Sequence, residues 1–375
     1  MTQSPPAPAD TGIPVTLLTG FLGSGKTTVL NGLLRHPGMA QTAVIINEFG
    51  AIGLDHELVA SARDDMVLLK SGCLCCTVKG DLIEALRRLF LQRVRGEVPE
   101  FERVVIETTG LADPAPIIHT LMADPLVAAR YRLDGVVATI DAACGDDTLN
   151  SHEEAVKQAA MADRLLLTKS DLVDAAHLAA LEARLERLNP AAPRILVLQG
   201  AIDPALILDV GLFDPASKSA DVGKWLKAEA YGHHDHDHHH GHDHDHGHHH
   251  QDPNRHDDRI RAFCFVIDKP LEPFAFESWL NVLTSFRGPN LLRIKGIVNL
   301  VGHERPVAIH GVQHLFHPAV ELPAWPSDDR RSRIVFITRD LDEAVIRDTF
   351  AAFTGEAPTD VPGYDPRLTG LASGQ

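Results

Sequence analysis

The chain has no excess of basic residues: 35 Lys and Arg stand against 51 Asp and Glu in 375 residues, a formal charge of −16. A surface of that sign repels phosphodiester backbones and anionic lipid headgroups, so general nucleic-acid or membrane-surface binding is excluded and cations are better-matched partners. Long apolar runs are missing too, and MTQSPPAPAD at the start carries neither a basic n-region nor an apolar h-region. No membrane span and no secretory signal is therefore expected. Cysteine is scarce: there are five, three of them within Cys73–Cys76. Such a distribution is no disulfide framework for a chain this long, and it predicts a reduced, cytoplasmic setting with a thiolate site.

What the sequence does contain is organised around Val15–Thr28, VTLLTGFLGSGKTT. An apolar, β-branched run enters Gly20, and Gly20, Gly23, Gly25, Lys26 and Thr27 fit the phosphate-loop pattern G-x-x-x-x-G-K-[ST]. The pattern predicts a strand, a loop whose backbone N–H groups curl around phosphate oxygens, and a helix with its positive end at the ligand. Lys26 is expected to reach the β- and γ-phosphates and Thr27 to ligate Mg²⁺. Ser24 and Thr28 complete the expected nucleotide-binding set.

Downstream, apolar strand-like runs alternate with helical periodicity: strands at 42–46, 66–69, 103–106, 135–140, 164–167 and 194–198, helices at 80–95, 152–161 and 175–188. This alternation predicts an α/β domain over residues 13–218, a mostly parallel sheet covered on both faces, after a disordered leader at 1–12. Residues 219–258 read as a His-rich flexible linker. From 259 to 358 the order is strand, helix, several strands, helix, which predicts a smaller α+β domain, followed by a tail at 359–375.

Four further motifs carry chemistry. Glu107-Thr-Thr-Gly110 ends a strand, where Glu107 would contact Mg²⁺ through water or polarise the attacking water and Gly110 would donate its amide to a γ-phosphate. Thr168-Lys169-Ser-Asp171 matches the guanine-reading [NT]-K-x-D pattern. Asp171 would accept from the N1 and N2 donors of guanine, a pair adenine lacks, so GTP is preferred to ATP. Cys73, Cys75 and Cys76 bring thiolates together within one turn, suiting Zn²⁺, Co²⁺ or Cu⁺, and Glu48 is a candidate oxygen ligand. The tract 231–250 supplies His233, His234, His236, His238, His239, His240 and others as a weak metal reservoir, emptied as imidazoles protonate below about pH 6.5. Isolated Cys144 and Cys264 read as core residues, and His119 as a surface or capping residue.

The phosphate loop, Asn47-Glu-Phe-Gly50, Gly72-Cys-Leu-Cys-Cys76, Glu107-Thr-Thr-Gly110-Leu-Ala-Asp-Pro114 and Thr168-Lys-Ser-Asp171, in this order, resemble the CobW family of P-loop GTPases. Leu292–Ile297 and His310–His314 are similar to that family's C-terminal domain. The resemblance implies a GTP-hydrolysing metallochaperone that binds Zn²⁺ or Co²⁺ and passes it to a client metalloprotein; a homo-oligomer is compatible with it. Two alternatives stay open here: cobalt handling in cobalamin biosynthesis, and passive zinc buffering by the histidine tract. Some relatives carry an acid where this chain has Ile46, so no carboxylate ligand is available at that position.

Overall fold

The structure is a computed structural model that describes residues 12–47, 67–71, 78–208, 259–316, 319–325, 328–356 and 358. Glu48, the cluster Cys73–Cys76, the histidine tract and the tail lie outside the described residues. Most residues before 214 form one compact unit and most from 215 onward a second.

The first unit is built on seven strands: β1 (Ile13–Gly20), β2 (Thr42–Asn47), β3 (Val67–Ser71), β4 (Arg103–Glu107), β5 (Tyr131–Asp141), β6 (Arg164–Thr168) and β7 (Arg194–Val197). Their order across the sheet is β3-β2-β4-β1-β5-β6-β7, and the pairings are parallel. Every residue of β1 from Val15 to Gly20 is buried, because a central parallel strand is covered on both faces. One face packs Leu18, Val44, Val105, Val137 and Leu166 against Val29, Leu30, Leu33 and Leu34 of helix α1 (Lys26–Leu34). Helices α2 (Val78–Val94) and α3 (Pro114–Ala123) pack on one another, and α3 packs on β5. The others are α4 (Pro125–Ala128), α5 (Gly145–Ser151), α6 (Glu153–Met161) and α7 (Ala175–Leu188).

Two expectations are corrected here. His119 is not a surface residue but lies in the middle of α3 at 9% exposure, because α3 is a predominantly apolar helix pressed between α2 and β5. Cys144 is exposed rather than part of the core. It sits in the turn between β5 and α5, where Asp141 Oδ1 accepts from the amides of Ala143 (2.9 Å) and Cys144 (3.3 Å). Cys264 is buried, as expected, and burial pushes its thiol up to about 12.

The second unit carries the strands β8 (Ile260–Ile267), β9 (Leu291–Val298), β10 (Val307–Val312), β11 (Leu315–Phe316), β12 (Val320–Glu321) and β13 (Ser332–Arg339). The sheet runs β11-β10-β9-β13-β8 with β12 beside β10, and the registered pairs are antiparallel. Helices α8 (Pro273–Arg287) and α9 (Glu343–Thr354) pack against each other. Trp279 and Phe350 meet edge-on between the two helices at 4.9 Å between centroids, and their joint with the sheet is aromatic: Trp279 lies 6.2 Å from Phe336 and Phe350 6.0 Å from Phe265. The Trp279 indole keeps its donor satisfied through Thr349 Oγ1 at 3.3 Å.

Candidate functional site

In a parallel sheet the carboxyl ends of all strands emerge along one edge, and ligands bind there. The phosphate loop leaves β1 at that edge and is held by its neighbours on both sides. Ser24 Oγ lies 2.7 Å from Phe21 O and 2.7 Å from Thr139 Oγ1 of β5, and Thr168 Oγ1 at the end of β6 donates to Ser24 O at 2.8 Å. The loop is thus braced from strands two and one places away.

Gly25 stands at the N-cap of α1 with φ 89°, where no side chain caps the helix and no acid occupies the first turn. The first amides of α1 and the positive end of its dipole are left for an anion. Lys26 is buried and turns its ammonium back to the carbonyls of Gly20 (2.9 Å) and Phe21 (3.0 Å). Burial pulls its pKa below the usual lysine value, with the Glu107 carboxylate acting in the opposite direction. A triphosphate would supply the counter-charge that two neutral carbonyls do not.

Thr27 Oγ1 donates to Glu107 Oε1 at 2.7 Å. A hydroxyl and a carboxylate set side by side at a phosphate loop are the hard oxygen donors Mg²⁺ takes, so the residues fit the ion. Glu107 is level with Leu18 of β1, and three residues on, Gly110 lies against the loop itself. A Cβ there would come within 2.6 Å of Leu22 N and 2.7 Å of its Cα, so the close approach of the two backbones requires glycine at position 110.

On the other side of the loop, Lys169 has φ 55° and its ammonium lies 2.6 Å from Asp141 Oδ2 at the end of β5. Asp171 sits in the short 3₁₀ turn that follows, Ser170–Leu172. The ion pair fixes the direction of the Lys169 stem beside Asp171. Asp141 belongs to no recognised motif and was not expected from the sequence; the signal available was an acid at a strand end facing a motif lysine.

The structure therefore brings Gly20, Gly23, Ser24, Gly25, Lys26, Thr27, Thr28, Glu107, Gly110, Thr168, Lys169 and Asp171 to one sheet edge, the first seven at the β1–α1 junction. Among the described residues no three His, Cys, Asp or Glu side chains converge on a metal position.

Residues 14–196 match the family model described as the CobW/HypB/UreG nucleotide-binding domain, and residues 260–354 match the cobalamin synthesis protein CobW C-terminal domain. The chain is 33% identical over 339 residues to the zinc chaperone YjiA of Escherichia coli, covering 90% of this chain and 98% of that one. It belongs to the CobW/HypB/UreG family of P-loop GTPases. This CobW-family GTPase is also 29% identical to the zinc chaperone CobW of a Sinorhizobium species, over 91% of this chain and 97% of the relative. Among solved structures it resembles a zinc(II)-bound YjiA GTPase in which one glutamate and two consecutive cysteines are replaced by alanine. That match has a TM-score of 0.67 and 30% identity over 92% of this chain and 99% of the other. No helix of the described residues is long and apolar enough to cross a membrane.

Proposed function

We propose that this GTPase is a cytoplasmic metallochaperone that binds Zn²⁺ through Cys73, Cys75 and Cys76 with Glu48, and releases it to a client metalloprotein as GTP is hydrolysed. The observation that carries the reading is the placement of β3. Ser71, its last residue, pairs with Asn47, one step beyond the pair Ile46 with Glu107. The chain enters the cysteine cluster at the same sheet edge as the phosphate loop, two strands from Glu107, or roughly 10 Å at the usual strand spacing. Glu48 is the next residue in the sequence after Asn47. The relatives named zinc chaperones support the choice of metal, and the residue types altered in the zinc-bound YjiA mutant match this ligand set.

Nucleotide binding draws on Lys26 and the α1 amides for the phosphates, and on Lys169 and Asp171 for guanine. Thr27, with Glu107 nearby, would hold Mg²⁺, which when bound would supply charge neutralisation at the transferring phosphoryl group. Glu107 orients the attacking water, and Gly110 donates its amide to the γ-phosphate. His233, His234, His236, His238, His239 and His240 act as a loading reservoir of lower affinity. Gain or loss of the γ-phosphate contacts alters the sheet edge that feeds the cysteine cluster, and linkage requires that zinc shift GTP affinity by the same factor as GTP shifts zinc affinity.

The test is a zinc and cobalt titration of the apo, GDP and non-hydrolysable GTP forms of a protein lacking Gly232–Gln251. A tight site that depends on nucleotide and is lost in Cys75→Ala supports the reading. Equal affinity in all three forms removes the coupling, and unchanged zinc affinity in Cys75→Ala removes the site.

A further inference from the structure

Gln158 on α6 is wholly buried, and its Nε2 donates to Gly110 O at 3.2 Å and to Ala112 O at 2.9 Å. The preceding residue, Lys157, places Nζ 3.3 Å from Asp113 Oδ2, and the other oxygen of Asp113 caps α3 through Ala115 N at 2.9 Å. Two consecutive residues of one helix thus hold the segment that carries the γ-phosphate contact.

The geometry of this segment gives the Gln158 bonds directional content. Its start is tied to β1 by Thr108 N donating to Leu18 O at 3.0 Å, and Ala112 N closes a turn on Thr109 O at 3.1 Å. Because a trans peptide aims its N–H opposite to its C=O, the Ala112 bond to Thr109 O fixes where the Gly110 amide points, and the Gln158 bonds to the Gly110 and Ala112 carbonyls hold the turn that makes it, fixing the Leu111 amide directly. Gln158 Oε1, by contrast, has no donor among the described residues although it is buried. A side chain serving only as a brace would gain nothing from that acceptor. A carboxamide can hold the loop in either orientation of the Gly110–Leu111 peptide, through Nε2 to the carbonyl or through Oε1 to the amide.

We propose that Gln158 is a positioning residue for GTP hydrolysis, holding the turn from Thr109 to Ala112 whose closing bond orients the Gly110 amide, and so setting the preference for GTP over GDP. The inference rests on the reading of Gly110 as the γ-phosphate contact, and its test separates the two.

Full-length Gln158→Leu and Gln158→Glu are compared with wild type in single-turnover GTP hydrolysis and in binding of GDP and a non-hydrolysable GTP analogue. Gln158→Leu lowers the hydrolysis rate and the analogue affinity by about tenfold each, the loss expected for a buried hydrogen bond, and leaves GDP affinity unchanged. Gln158→Glu is defective near pH 8 and recovers towards about pH 6, where a protonated acid again donates to the carbonyls, a slope wild type lacks. Equal losses for GDP and the analogue, wild-type behaviour of either variant, or a Gln158→Glu defect that ignores pH would overturn the inference. Gly110→Ala provides the control: if it keeps the preference for GTP, the Gly110 reading fails; if it loses the preference while Gln158→Leu keeps it, the role of Gln158 alone fails.

Discussion

The Thr27 hydroxyl donates to the Glu107 carboxylate across 2.7 Å, joining residues 80 apart in sequence, one in the first turn of α1 and the other at the end of β4. The bond puts the first turn of α1 and the end of β4 into register before any ligand arrives. Thr27→Ala and Glu107→Gln should each reduce Mg²⁺-dependent GTP hydrolysis by about 100-fold, the usual cost of removing a transition-state electrostatic contact. Thr27→Ser should stay within a few-fold. A Mg²⁺ titration of turnover distinguishes them, because Thr27→Ala should also need more Mg²⁺ to reach half its rate.

Lys26 is a buried cation facing two neutral carbonyls, so it serves binding at the expense of the empty fold. Lys26→Met should abolish GTP turnover yet raise the stability of the nucleotide-free protein by about 1 kcal/mol, measured by urea unfolding. The sign of the pH effect follows from linkage. A lysine whose folded pKa is depressed binds fewer protons folded than unfolded, so wild type gains stability as pH rises through that value towards the normal lysine value. The advantage of Lys26→Met should therefore shrink between neutral and alkaline pH.

Asp141 lies 2.6 Å from the ammonium of Lys169, the residue proposed to contact the guanine base. Asp141→Ala should weaken GTP and GDP by the same factor, about tenfold, since the base is common to both. Asp171→Asn should instead relax guanine preference. Competition by ATP and GTP against a fluorescent GDP measures both effects.

The second unit depends on its aromatic joint. Phe350 is fully buried, edge-on to Trp279 and also 6.0 Å from Phe265. Phe350→Ala should cost about 3–5 kcal/mol, read by a transition at lower denaturant in tryptophan fluorescence, to which Trp279 contributes. Phosphate-loop residues should be untouched, so GTP turnover under native conditions separates this variant from those above.

How far the sequence foretold this arrangement depends on what kind of signal each part left. The phosphate loop, Glu107 and Thr168–Asp171 were legible because their chemistry imposes residue types at fixed spacing. Helix α7 was legible from periodicity, with its expected bounds observed. Helix α5 left no such trace: in GDDTLNS only Leu149 is apolar and buried. The early part of β5 was hidden by Arg132 and Asp134, which break the apolar run; Asp134 is buried nonetheless, accepting from Thr16 Oγ1 at 3.0 Å. Asp141 and Gln158 were invisible for a different reason, since each contacts a partner distant in sequence that only the fold brings near.

Helix α1 begins on a glycine that offers it nothing, with neither a capping oxygen nor a nearby acid to quiet its opening amides. The consequence is that nucleotide completes the helix as much as the helix holds the nucleotide. The exchange of the Lys26, Thr27 and Thr28 amides with solvent deuterium then reports occupancy residue by residue.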